Sequence, residues 1–210
     1  MRAVLPLLLL AACAAPTPAR AQEPGRFDYY LLALSWSPEY CASRNGARDK
    51  LQCVERQYGF VTHGLWPQFE KGYPSRCPTS LSVSRATVAG MLDIMPSPAL
   101  VRHEWTAHGA CSGLTPSDYY ATVRRFYSVI RIPREFQQPT APVLIEPAAL
   151  KKRFLEANPA LAPASLAVVC SGRNLREVRV CFTREGKPRP CGRDVRDQCT
   201  AEKVLLRPVR

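Results

Sequence analysis

The 210-residue chain carries 29 Lys and Arg against 17 Asp and Glu, a formal charge of +12, with 46% hydrophobic residues and nine cysteines. That length suffices for one domain with a sizeable core. Beyond the N-terminus no stretch is apolar for long enough to cross a bilayer as a helix, and no Cys-x-x-Cys pair supports redox chemistry or a zinc ribbon. The basic balance suits a polyanionic partner such as nucleic acid, an acidic glycan or a membrane surface, although solubility alone accounts for it equally well.

The chain opens with Met1-Arg2, an apolar run over residues 3–15, and the small-x-small triplet Ala19-Arg20-Ala21. This predicts a secretory signal peptide over residues 1–21, too short to span a membrane, and a secreted or periplasmic mature chain from about Gln22. A rival reading is lipoprotein anchoring at Cys13, in Leu10-Ala11-Ala12-Cys13. Without Arg2 and Arg20 the mature chain has 27 basic and 17 acidic residues, a charge of +10. Eight cysteines then remain, an even number that implies disulfides and allows 105 pairings.

Residues 27–36 are aromatic and aliphatic with hardly a charge and read as a strand buried on both faces, with Ser35 and Trp36 at its end near enough to a site to touch a ligand. Cys41 and Cys53 bracket a polar surface loop pinned by its own disulfide. A short strand over residues 59–62 delivers His63, and Gly64 lets the backbone turn beside the imidazole. A loop over residues 68–78 precedes a helix over 84–95, ended by Met95-Pro96. Ser97-Pro98 supplies an N-cap and a first-turn proline for a helix that runs to Gly109. Thr115-Pro116-Ser117-Asp118 repeats that start signal before an amphipathic helix bearing Tyr119, Val123, Phe126, Tyr127 and Ile130. A proline-rich loop covers 131–143, and a further helix runs from Glu146-Pro147 to about Asn158. Strands follow over 166–170 and 175–183, and Cys191 and Cys199 tie down the tail. With no internal repeat and no linker, the expectation is one α+β domain over residues 22–210.

The three histidines lie in two short motifs rich in Gly and Trp: His63-Gly64-Leu65-Trp66-Pro67 and His103-Glu104-Trp105-Thr106-Ala107-His108-Gly109-Ala110-Cys111. Imidazole is the side chain best suited to moving protons both ways near neutrality, so an acid/base pair drawn from the two motifs is expected. Glu104 and His108 share a face of a helix at i,i+4. A zinc hydrolase of the His-Glu-x-x-His kind is the metal rival, but the second histidine stands one residue too far. Trp66 and Trp105 fit either core packing or, for Trp66, stacking on a planar ligand. A histidine pair in a basic, exported, disulfide-bonded domain suits metal-free RNA cleavage, because RNA carries its own 2′-hydroxyl nucleophile.

Both motifs, together with Leu34-Ser35-Trp36-Ser37-Pro38-x-Tyr40-Cys41, resemble the active-site segments and first strand of the ribonuclease T2 family. The resemblance implies an α+β fold with a central antiparallel sheet flanked by helices, and a single disulfide-bonded domain. It also implies an endoribonuclease that cleaves single-stranded RNA through a 2′,3′-cyclic phosphate without a cofactor or metal, leaves DNA uncut and acts as a monomer. By similarity His63 is the acid, His108 the base, Glu104 a transition-state stabiliser and His103 a phosphate contact; Trp66 and Tyr73 face the base 5′ of the cut. The same resemblance implies Cys77–Cys111, Cys170–Cys199 and Cys181–Cys191, with Cys41–Cys53 following by elimination and by its short loop. Two departures stand out: Ala107 replaces the family's usual lysine, and Gln68 replaces an often acidic residue. The first leaves two possibilities, an enzyme that Ala107→Lys would accelerate or one in which another cation such as Arg102 serves. A third is an exported RNA-binding module on a dead scaffold.

Overall fold

The computed structural model describes residues 22–210, so the signal-peptide and Cys13 readings lie outside the described residues. Strand β1 (Tyr29–Trp36) is buried along almost its whole length because it is central: β2 (Phe60–Gln68) pairs with one edge and β5 (Asn174–Phe182) with the other, both antiparallel. Beyond them β5 also pairs with β4 (Leu166–Ser171) and, through a single parallel contact, with β6 (Val204–Leu206), which carries β3 (Val143–Ile145). The sheet is therefore antiparallel apart from the β5–β6 contact.

The two faces of β1 do different things, as the period of two requires. Tyr30, Leu32, Leu34 and Trp36 join the main core. That core is covered by α2 (Arg85–Ala89), α3 (Pro98–Ala107), α4 (Pro116–Ser128) and α5 (Pro147–Ala157). Phe154 of α5 stacks on Phe136 and meets Phe60 edge-on, so truncating it should cost about 3–5 kcal/mol. Tyr29, Leu31 and Ala33 point the other way, into a small cluster with Cys181 and Trp66.

Strand β2 does not keep its alternation. Ala33 pairs with Gly64 and Leu34 with Thr62, which leaves His63 as the extra residue of a β-bulge. The bulge explains how Phe60 and Leu65, an odd number of residues apart, both reach the main core, and it re-aims His63. Gly64 was expected to turn the chain; instead the strand continues through it to Gln68.

Other expectations shift for local reasons. The loop between Cys41 and Cys53 is closed by their bridge as expected, but it follows directly on α1 (Ser37–Cys41) and holds a 3₁₀ turn and the start of a π turn. Helix α2 is capped by Ser84, whose hydroxyl accepts from Thr87 N, but ends at Gly90, and residues 91–95 continue as turns. Helix α3 starts at the Ser97 cap as expected but stops at Ala107, before Gly109. Trp36 is fully buried and donates its indole N–H to Arg207 O, and Trp105 donates to Leu81 O, so both tryptophans are core residues. The remaining bridges are Cys77–Cys111, Cys170–Cys199 and Cys181–Cys191. Among the described residues no helix is long and apolar enough to cross a membrane.

Ala33 sits between Gly64 on β2 and Arg179 on β5 with no exposed surface. Ala33→Leu is expected to overpack this spot and to lower stability by about 1–3 kcal/mol, read from the urea unfolding midpoint.

Candidate functional site

The site forms on the face of the sheet opposite most of the helices, where the β1 side chains are small. Glu177 and Arg179 pair across β1 with Ser35 and Ala33, and Ala33 in turn faces Gly64. Nothing bulky on β1 stands between β5 and the bulge. The Glu177 carboxylate therefore reaches His63, accepting a hydrogen bond from Nδ1 at 3.0 Å, while its other oxygen accepts from Arg179 Nε at 2.9 Å and lies 2.8 Å from Arg179 Nη2. Glu177 has only 1% of its side chain exposed, and a lone buried carboxylate would be expensive. Its burial raises its pKa, but the His63 hydrogen bond and the Arg179 charge outweigh that and bring it down to about 2.

From the helix layer comes Glu104, also buried, in the last turn of α3. Its Oε2 accepts the Trp66 indole N–H at 2.7 Å, and its Oε1 lies 3.7 Å from His63 Nε2. The carboxylate and the indole meet over Gly64, where a Cβ would overlap both, so glycine serves close approach here. Burial raises the Glu104 carboxyl to about 6, against the opposing pull of His63 and Trp66.

Trp66 separates the two imidazoles. Its ring centroid is 5.2 Å from that of His63 and 5.3 Å from that of His108. His108 does not continue α3 as the i,i+4 reading with Glu104 assumed. It is the C-cap, with φ −135° and ψ −49°, and the chain turns there into a 3₁₀ segment (Gly109–Ser112) that Cys77–Cys111 holds down. Its Nδ1 is buried with no hydrogen-bond partner among the described residues. The two rings consequently sit in opposite environments. Burial disfavours charge on His63, but the hydrogen bond it donates to Glu177 and the charges of Glu104 and Glu177 overcome it and raise its pKa. Burial, with the positive charges of His63 and His103, lowers His108 to about 4.

A cleft of about 300 Å³ is lined by Trp66, Gln68, Tyr73, His108, Arg179 and Asp194. Tyr73 is exposed and its ring lies 6.0 Å from His108; the Arg179 guanidinium lies 5.5 Å over the Trp66 ring. A second cavity, about 370 Å³, lies against His63 and is lined also by Ser35, Ser97, Leu100, Arg176 and Glu177. The structure thus gathers His63, Glu104, Trp66 and His108, with Tyr73 at the rim. His103 stands on the exposed side of α3, near enough for its charge to act on His108. Arg102 is exposed and donates to Pro98 O, turned along its own helix. Sequence reading missed Glu177 and Arg179. The available signal was a pair of charges inside the strand pattern Val178, Val180, Phe182. Among the described residues no group of three or more His, Cys, Asp or Glu side chains is placed to hold a metal ion.

The Ribonuclease T2 family profile matches residues 27–191, and the chain belongs to that family. It is 52% identical over 98 residues to a ribonuclease of Aeromonas hydrophila, covering 47% of this chain and 44% of the relative. It is 29% identical over 153 residues to ribonuclease I of Escherichia coli K12, covering 53% and 57%. The chain thus spans about half the length of the curated relatives it matches. Among solved structures, an RNase-related protein from Calystegia sepium superimposes with a TM-score of 0.70 at 20% identity, covering 88% of this chain and 98% of that one. RNase NT in complex with 5′-AMP superimposes at 0.66 and 20% identity, covering 87% and 99%. These likenesses establish the fold, an α+β architecture around a central sheet.

The Glu177 carboxyl sits below its ordinary 4.5 when folded, so its stabilising contribution is complete above that pH and is lost as the pH falls toward about 2. Glu177→Gln is expected to lower the urea midpoint at pH 7 and to flatten its fall below pH 4.5. In an NMR titration of the variant, the His63 imidazole should lose its proton at lower pH than in the wild type.

Proposed function

We propose that the protein is an endoribonuclease of single-stranded RNA that uses His63 as general acid and His108 as general base. One observation carries the reading: two chemically identical rings on either side of Trp66 are pushed in opposite directions, His63 toward its charged form and His108 toward its neutral form. Such divergence is what acid and base assignments require of a pair at one pH. Neutral His108 takes the proton of the 2′-hydroxyl. The 2′-oxygen attacks phosphorus, and charged His63 protonates the departing 5′-oxygen, which leaves a 2′,3′-cyclic phosphate. In the second half the roles reverse, and water opens the cyclic ester to a 3′-phosphate. No step calls on a metal or cofactor.

The surrounding groups serve this transfer. Glu104 holds the Trp66 indole and lies beside His63, where it steadies both against the developing charge. Trp66 and Tyr73 offer ring faces to the base 5′ of the cut, and the cavity against His63 receives the nucleoside on the leaving side. His103 supplies positive charge toward the phosphate from the rim of α3. Export, with residues 1–21 as the leader, places the enzyme outside the cytoplasm, where four disulfides persist.

His63→Ala and His108→Ala are each expected to lower kcat on a dinucleoside phosphate by about 10²–10⁴. The wild-type kcat/KM should rise through about pH 4 as His108 loses its proton and fall above 6.5 as His63 loses its own. Activity should persist in EDTA, and a deoxy oligonucleotide should remain whole. A His108→Ala enzyme that keeps its rate, or cleavage of the deoxy strand, would remove this mechanism.

The missing lysine at Ala107 finds an answer in Arg179, which lies over Trp66 in the cleft with His108, held from behind by Glu177. Its guanidinium supplies the cation for the five-coordinate phosphorus, a role worth about 10²–10³ in rate. Arg179→Ala should lower kcat to that extent. Ala107→Lys, expected from sequence to raise kcat, should do little alone and should restore rate in the Arg179→Ala background. That rescue separates a phosphate contact from the support Arg179 gives Glu177, which a lysine on α3 cannot replace. Steady-state kinetics of the four enzymes decides.

A further inference from the structure

A pocket of about 280 Å³ on the far side of α1 is lined by Arg56, Arg207 and Arg210, with Gln52, Tyr58 and the Cys41–Cys53 bridge. No acidic side chain lines it among the described residues. It adjoins the cavity against His63: Gln52 lines both, and the wall between them is the pair of Arg207 Nε with Glu39 Oε2 at 2.6 Å, Glu39 lining the His63 side. Glu39 is fully engaged, since its other oxygen accepts from Asn174 at 3.0 Å. It therefore offsets Arg207, while Glu55 and Asp93 act on Arg56 from outside the pocket, Asp93 being already paired with Arg124. Arg56 is steadied by its hydrogen bond to Tyr58, which itself donates to Leu92 O. Gln52 is fixed by its bond to Ser37 and by the bridge beside it.

We infer that this pocket is a phosphate-binding subsite for the RNA strand on the 3′ side of the cut, formed by Arg56 and Arg210. The inference rests on the proposed role of His63. If His63 protonates the departing 5′-oxygen, the leaving nucleoside occupies the cavity that His63 lines. Its own 3′-phosphate then emerges beyond that cavity, over Gln52 and α1, where the arginines stand. Guanidinium groups gathered in a pocket without carboxylate side chains in its lining suit a phosphate dianion or diester.

Binding tests this without cleavage. Two short oligonucleotides, each with a single 2′-deoxy residue at the cut position, differ only in a 3′-terminal phosphate. Wild-type protein should bind the phosphorylated one about tenfold more tightly, the order that charge-assisted hydrogen bonds to one phosphate supply. Moving the phosphate to the 5′ end should give no such gain. Arg56→Ala/Arg210→Ala should abolish the gain, bind the unphosphorylated strand as before, and show a shallower salt dependence by about 0.7 per lost contact. Both side chains are at the surface, so the fold should be intact. An equal preference in the double variant, no preference in the wild type, or a gain from the 5′-phosphate instead would overturn the subsite. Loss of RNA cleavage is scored separately on the dinucleoside, where failure touches the catalytic reading and not this pocket.

Discussion

The structure depends on one carboxylate–imidazole hydrogen bond that crosses a strand. Glu177 on β5 grips His63 on β2 over the small residues of β1, and Arg179 grips Glu177 from behind. A buried carboxylate is tolerable only if nearly all its lone pairs are used, and here both oxygens are taken. The carboxylate keeps a hydrogen on Nδ1, so Nε2 is the nitrogen that faces Glu104. It also sets the charge state. Remove the carboxylate, and the burial that depresses His108 would act on His63 as well.

The backbone makes this contact possible in two ways. The bulge gives His63 a direction that strict alternation would deny it, and it restores the phase so that Leu65 still reaches the core. Gly64 then admits the Glu104 carboxylate and the Trp66 indole to the same place. Each device is local, yet the outcome is global: β2, α3 and β5 are locked together by side chains at a point where sheet hydrogen bonding is interrupted.

Much of this was legible in the sequence, and the boundary has physical reasons. The histidine motifs, the Ser97 and Thr115 caps, the buried β1 and the alternation of β5 are local signals, and they put Glu104 on a helix and His63 at a strand, though the strand was expected to end before Trp66 and instead runs through it. Strands β3 and β6 were missed because three residues are too few to show a period; they exist through pairing with each other. Helix α2 was drawn too long because its apolar spacing persists past Gly90, where the helix ends. The place of His108 was misjudged because helical periodicity says nothing of the point where a chain leaves the helix. That exit is tied to the Cys77–Cys111 bridge, a contact 34 residues apart in sequence. Glu177 was invisible for a similar reason, since His63 lies 114 residues away and is reached only across β1, and the place of Arg179 follows from Glu177 and from Trp66.

A site built this way works against the fold that carries it. His108 keeps a buried nitrogen without a partner among the described residues, and Glu104 is held at a pKa of about 6 by burial that opposes its charge. Such groups are commonly destabilising where they are functional, and the loss must be met elsewhere. The disulfides fall where that compensation is most useful. Cys181 lies on β5 itself, two residues from Arg179, and is bridged to Cys191 in the loop that also brings Asp194 to the cleft. Cys170 ties β4 to the tail, and Cys77 pins the turn just past His108. A bridge restricts the unfolded chain without altering the charge or polarity of the site, so it can offset the strain of an unpartnered histidine and leave that histidine neutral. A hydrogen bond to His108 Nδ1 would also stabilise the fold, but an acceptor there would favour the charged ring over the neutral one.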